Sequence, residues 1–206
     1  MTAMVFLNTA WMERYDGPEE EKARGGGSYV DRYGYGHEMF NFRKINGKVY
    51  GYAQPTGRFD LQRLGASSDA ESIDDVLVIF TATHKLGGTY IVGWYKNATL
   101  YKECQSTRFE ERNFNDEHFG YYVVADAGNA TLLSADERLS FPQIPRAGVK
   151  GVKGGMGQSN VWYADSPEMT SFRKGVLEHI EAYAAKKRKQ QCALVAIWRR
   201  LFRKTK

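Results

Sequence analysis

The chain has 206 residues, 42% hydrophobic and 26% charged, proportions ordinary for a globular protein and sufficient for one large domain with an appendage. No run approaches the roughly 18–20 apolar residues that cross a bilayer, and residues 1–10 lack the basic-then-apolar pattern of a signal peptide. Cys104 and Cys192 have neither disulfide-framework nor metal-ligand spacing, so a cytoplasmic protein with free thiols and no membrane span is expected.

The formal charge of +5 is unevenly placed. Residues 186–206 carry nine Lys or Arg and no acid, which leaves 20 basic and 24 acidic groups, a net of −4, in residues 1–185. A polyanion would meet the tail first. Aromatic residues reach 14%, with 13 Tyr, 11 Phe and 4 Trp. They fit a β-rich core or a stacking site, and composition alone favours the core.

In chain order, Met4 to Asn8 reads as a short buried strand. Asp16 to Ser28 is acidic and Gly-rich and reads as a flexible loop. His37 to Phe42 is a β-like run. Asn46-Gly47 before Lys48 to Tyr52 predicts a hairpin, ended by Pro55 and Gly57. Val76-Leu-Val-Ile-Phe-Thr-Ala82 is a strand buried on both faces. Gly87-Gly88 turns the chain into a partner strand from Thr89 to Tyr95. Further strands are expected near Tyr121 to Ala125 and Thr131 to Leu133. A helix capped by Asp165 or Ser166, with Pro167 at its first position, then runs through Phe172, Val176, Ile180 and Tyr183. Strands first and helix last point to an α+β fold with a mostly antiparallel, barrel-like sheet. There is no internal repeat. In the tail, Leu194, Ile197, Trp198, Leu201 and Phe202 make one apolar helical stripe with Arg199, Arg200, Arg203 and Lys204 off it. Such a helix docks on its own body, on a partner or on an anionic membrane, and docking on protein is the commonest of these. The division is therefore residues 1–185 as a domain and 186–206 as a basic amphipathic tail.

Three segments carry candidate binding chemistry. Trp94 and Tyr95 offer flat rings, Lys96 reaches a phosphate and Asn97 a base edge. Strand alternation puts Trp94 and Tyr95 on opposite faces, so at most one lines a given pocket. In Lys153-Gly-Gly-Met-Gly-Gln-Ser-Asn-Val-Trp-Tyr163 the glycines admit a ligand close to the backbone, and Gln158, Ser159 and Asn160 offer edge contacts before Trp162. Lys150 and Lys153 precede them as phosphate contacts, joined by Lys186, Lys187, Arg188, Arg199 and Arg200 in the tail. Trp11 follows the first strand as a pocket wall or a lid over the core. The bland readings are core strands and a mobile glycine loop.

Enzymatic signals are weak. His37 and Glu38 are adjacent and would face opposite sides of a strand, so a metal or acid–base pair from them alone is not expected. His84, His118 and His179 have no supporting spacing. Glu20 and Lys22 are the shortest fragment of a nuclease pattern. No Walker loop, nucleophile elbow or zincin helix occurs. The chain is not expected to be an enzyme on its own or to hold a cofactor.

The segment from Val76 to Ala82, with Tyr90-Ile-Val-Gly-Trp-Tyr-Lys-Asn-Ala-Thr-Leu-Tyr101, resembles the core of the PUA-like superfamily, which includes the EVE, YTH and ASCH domains. Gly34-Tyr-Gly-His-Glu-Met-Phe-Asn-Phe42, Val49-Tyr-Gly-Tyr52 and the string from Lys153 to Tyr163 resemble bacterial modules joined to nuclease-like domains in restriction and defence proteins. The resemblance spans roughly Met4 to Tyr183. It implies a twisted, mostly antiparallel β-barrel with flanking helices that holds a flipped, often methylated base in an aromatic cage. Mapped here, the walls are Trp11, Trp94 and Trp162, with Ser159 and Asn160 reading the edge. The expected partner is nucleic acid, DNA ahead of RNA. The alternatives are a nuclease partner or a homodimer through residues 190–206, or a nucleic-acid enzyme using His37, Glu38 or Asp126.

Overall fold

A computed structural model describes residues 2–18, 35–106 and 109–202. From residue 19 onward the loop expected over Asp16 to Ser28 lies outside the described residues, as do Glu20, Lys22, Arg203 and Lys204; of Arg199 and Arg200 the helix backbone alone is described. The fold is mixed α+β, with a mostly antiparallel sheet and a C-terminal helix. The chain forms two compact units, Met1–Met169 and Thr170–Lys206.

The first unit is built on strands β1 (Met4–Thr9), β2 (Lys44–Ile45), β3 (Lys48–Gly51), β4 (Ser72–Thr83), β5 (Thr89–Gln105), β8 (Tyr121–Asp126), β9 (Ala130–Leu132) and β10 (Val161–Trp162). They pair in the order β10-β1-β4-β5-β8-β3-β2, with β9 also on β5. β1 runs parallel to β4, and the other ladders of this sheet are antiparallel. Short strands β6 (Asn113–Phe114) and β7 (Glu117–His118) form a separate hairpin. The barrel expected from the sequence is not closed: among the described residues no ladder joins β10 to β2.

The sequence signals are met at particular places. Asn46 and Gly47 have φ of 50° and 78°, the two positive values that a tight hairpin turn demands. β4 is buried continuously from Val76 to Ala82 because β1 and β5 flank it and both its faces are covered. β5 is far longer than Thr89 to Tyr95. It continues through a kink at Asn97, where φ is 48° and the β4 register shifts. Past that kink its other edge passes from β9 to β8. His37–Phe40 is a 3-10 turn rather than the expected β-like run. The reason is Asn41, whose carboxamide donates to Tyr52 O at 2.9 Å and accepts from Tyr52 N at 2.8 Å. The segment therefore meets β3 through a side chain instead of a ladder.

One face of the sheet holds the main core, including Val5, Leu7, Val78, Phe80, Tyr95 and Val123. Gly93 lies where a Cβ would meet Thr131 O at 2.4 Å and Phe42 at 2.5 Å, so only glycine lets β9 and Phe42 approach. Arg112 is fully buried. Its guanidinium donates to Phe119 O at 2.9 Å, Tyr50 O and Gly120 O at 2.8 Å and Phe40 O at 3.4 Å. Burial lowers its pKa to about 10, which leaves it charged at neutral pH. The described residues of the second unit form one α-helix, Thr170–Phe202, preceded by a 3-10 turn at Pro167–Met169 as the proline predicts.

Arg112→Leu strands carbonyls in the core, each worth about 1–3 kcal/mol when unsatisfied. Urea unfolding should show a loss of about 3 kcal/mol or more. A loss under about 1 kcal/mol would mean that those carbonyls find other donors.

Candidate functional site

The row Trp162–Phe6–Ile79–Trp94 crosses β10, β1, β4 and β5 in register, so all four side chains share one face. Trp162 and Trp94 thus stand three strand spacings apart, about 14 Å, with Phe6 and Ile79 between them. Trp94 is 1% exposed and packs on Phe141 at 5.5 Å between ring centroids; Trp162 is 9% exposed and packs on Phe6 at 5.0 Å. Tyr95 is fully buried on the opposite face against Phe42 and Phe80. These three rings are packing residues, and Trp94 and Trp162 do not converge as one cage with Trp11. Strand alternation correctly separates Trp94 from Tyr95, but both faces of β5 are covered here, so neither ring is left for a ligand. Half-buried Lys96 and exposed Asn97 sit at the β5 kink, away from the end of β1.

The glycine loop also serves the fold. Trp162 Nε1 donates to Gly154 O at 3.0 Å. A Cβ on Gly154 would strike Ser166 Oγ at 2.1 Å, so this backbone is pressed against its own chain rather than left open for a ligand. Lys150, Lys153, Gln158 and Ser159 are exposed, as are Lys186, Lys187 and Arg188 in the second unit.

What does gather is the C-terminal end of β1. Asn8 N donates to Asn160 O at 2.8 Å, and the Asn8 carboxamide nitrogen to Asn160 Oδ1 at 3.4 Å. Asn8 Oδ1 is buried with no partner. Three residues on, the half-buried Trp11 ring meets His84, from the end of β4, edge-on at 4.8 Å. The Arg138 guanidinium lies 4.9 Å from the Trp11 ring centroid. Arg138 comes from the single-turn helix Ala135–Arg138 and donates to Met12 O at 2.6 Å, Glu13 O at 2.7 Å and Leu133 O at 3.1 Å. The turn after β1 is therefore held rigidly, and Tyr15, whose hydroxyl donates to Ala10 O at 2.6 Å, closes it from inside.

Glu38 lies near the same turn, where its carboxyl accepts a hydrogen bond from the Ala10 backbone. It is 8% exposed, and burial raises its carboxyl pKa against the opposing pull of backbone hydrogen bonds from Glu38 and Ala10. Among the described residues no Lys or Arg is ion-paired with it. Next to it the His37 ring stacks on Tyr52 at 4.3 Å and meets Phe119 edge-on at 4.6 Å, with Nδ1 buried and unpartnered. Burial, then the Arg112 charge, lowers the His37 pKa to about 4. In the sequence Glu38 has no partner, because its neighbour His37 would face the other side of a strand, and His84 has no supporting spacing. The signal that could have raised Glu38 is an acid placed directly before the largely apolar run Met39-Phe40-Asn41-Phe42.

Elsewhere, a cleft of about 240 Å³ is lined by Arg58, Asp60, Gln62, Ser67, Ser68 and Lys102 among others. Lys102 pairs with Glu71 at 3.3 Å, so the cleft carries no clear excess of positive charge. Asp126 is exposed and paired with Lys48 at 3.1 Å. Among the described residues no group of His, Cys, Asp and Glu could hold a metal ion, and no helix is long and apolar enough to cross a membrane. No protein-family model matches the chain, and neither does any curated protein or solved structure.

The two buried ionisable groups give opposite pH responses. Between about pH 6.5 and 4 the unfolded chain protonates His37 while the native state does not, so stability falls on acidification through that window. His37→Phe should remove up to roughly 3 kcal/mol of that loss, read from urea midpoints at both ends of the window. Native Glu38 keeps its proton where the unfolded carboxyl, with a pKa of about 4.3, has lost it. Glu38→Gln should therefore be more stable than the parent at neutral pH, with the advantage vanishing as pH falls below that value. Equal stability of parent and variant at pH 7 would show that the Glu38 carboxylate is not penalised.

Proposed function

We propose that the chain is a nucleic-acid-binding module of PUA-like build that receives one flipped base at the end of β1, in a modification-dependent defence context. The observation that carries this reading is Glu38: a desolvated carboxyl with no cation paired to it among the described residues, beside the Trp11 turn. In its neutral form a carboxyl has one donor and one acceptor side by side. That pattern complements the ring nitrogen and exocyclic amine of cytosine or adenine. Asn8 Oδ1, buried without a donor on the Phe6 and Trp162 side of β1, is a separate acceptor near the same strand end. Trp11 supplies a ring edge or face, held by Arg138, and Ser159 with Asn160 lies across from Asn8 on the neighbouring strand end.

Flipping a base out of a duplex costs a few kcal/mol, and stacking on one aromatic ring returns about 1–3 kcal/mol. Edge contacts and phosphate contacts must supply the remainder. Exposed Lys150 and Lys153 precede Asn160 in the same segment and are suited to phosphates. A methyl group adds only about 1 kcal/mol in an apolar notch, so discrimination needs an unpaired polar group or a clash against the wrong base.

The test is a binding screen of oligonucleotides carrying cytosine, adenine and their methylated forms at two salt concentrations. A base preference that survives high salt is expected, because edge contacts are insensitive to counterion release. Trp11→Ala should weaken the preferred oligonucleotide by about 5- to 100-fold, and Glu38→Gln should change the order of preference. Affinity that vanishes uniformly with salt, unchanged in both variants, would leave only a polyelectrolyte effect and end the proposal.

A further inference from the structure

The distal half of the C-terminal helix combines two properties. From Lys186 onward every described side chain of the helix is exposed. Leu194, Val195 and Trp198 are 67%, 44% and 61% exposed. Around them, residues 186–206 hold nine Lys or Arg and no acid. Leu194 and Trp198 stand one helical turn apart and so lie on one side of the helix, as the sequence stripe requires.

We propose that this helix segment lies on an anionic lipid bilayer, its Leu194 and Trp198 side in the headgroup region and its basic residues among the lipid phosphates. Charge complementarity decides the occupant. A second copy of the same segment would bring nine positive charges against nine, with no acid on either side to offset them. A nucleic acid would satisfy the cations but leave Leu194, Val195 and Trp198 in water. A bilayer surface meets both demands: apolar side chains enter the acyl boundary, Trp sits at the headgroup level, and Lys and Arg are drawn to anionic lipid. The segment from Lys186 to Phe202 is 17 residues of helix, about 25 Å long, and no described helix is apolar enough to cross a membrane. It lies in the surface plane. This inference stands on the second unit alone and does not depend on the base-reading proposal.

The test is co-sedimentation of the full chain with vesicles of phosphatidylcholine alone, or of phosphatidylcholine with about 30% phosphatidylglycerol. The chain should pellet with the anionic vesicles and remain in solution with the neutral ones. A Leu194→Ser, Trp198→Ser double variant, which keeps every basic residue and whose folding circular dichroism can confirm, should bind about tenfold less. Its binding to a random duplex at low salt should be unchanged, since the cations are intact. Failure of the parent to pellet with anionic vesicles overturns the proposal. So does equal pelleting of the double variant, which would make the segment a plain polycationic arm. A doubled solution mass that the double variant loses would assign the apolar side to self-association and overturn it as well.

Discussion

The arrangement rests on the insertion of the first strand between β4 and the last strand, β10. A strand so placed satisfies its backbone on both edges and buries its side chains on both faces, so its position is fixed by hydrogen bonding and by packing together. The parallel register from Met4–Leu77 to Thr9–Ala82, and the antiparallel pairs Phe6–Trp162 and Leu7–Val161, leave β1 no freedom to slip. A slip of one residue would exchange Phe6 for Leu7 across the sheet and put Asn8 into the core. The turn after β1 inherits this fixity, which is why Asn8 meets Asn160 beside β10 and Trp11 meets His84 at the end of β4.

Buried charge is handled in two ways, and the contrast marks the site. Arg112 and Arg138 are both fully buried, and each donates to three or more backbone carbonyls. Each fastens irregular chain to the sheet, where a planar fork of donors serves several acceptors at once. Glu38 has only backbone donors that fall short of its desolvation, so its carboxyl is pushed towards the neutral form. The His37 Nδ1, the Asn8 carboxamide oxygen and the Tyr95 and Ser166 hydroxyls are likewise buried without a hydrogen-bond partner. Polar groups left incompletely satisfied in an otherwise well-paired interior are where functional chemistry concentrates.

The strands and turns with local signals were readable from residues alone. Asn46-Gly47 announces its hairpin because both positions need positive φ, and Val76 to Ala82 announces a buried strand because no polar residue but Thr81 interrupts it. The aromatic residues were not readable in the same way. Trp94 and Trp162 look like binding residues beside Lys96 and Ser159, yet they are packing partners in a row with Phe6 and Ile79. A tryptophan's neighbours in sequence lie on the opposite face or beyond a kink. Its neighbours in space come from other parts of the chain, as Phe6 does for Trp162 and Phe141 for Trp94. The His37–Phe42 run looks β-like but begins as a 3-10 turn for a related reason: Asn41 satisfies Tyr52 through its side chain, a bond between separate segments that no local pattern encodes.

Composition and order of residues by themselves determined the α+β class, the strand-rich body with helix last, the hairpin turn and the separation of a mildly acidic body from a basic tail, because these depend on backbone preferences and on charge counted along the chain. Which rings are covered, and the separate contacts Asn8–Asn160, Trp11–His84 and Glu38–Ala10 around one strand end, were decided only by tertiary structure. Burial and desolvation depend on what the rest of the chain places across from a residue, and that is set by sheet order, not by sequence distance.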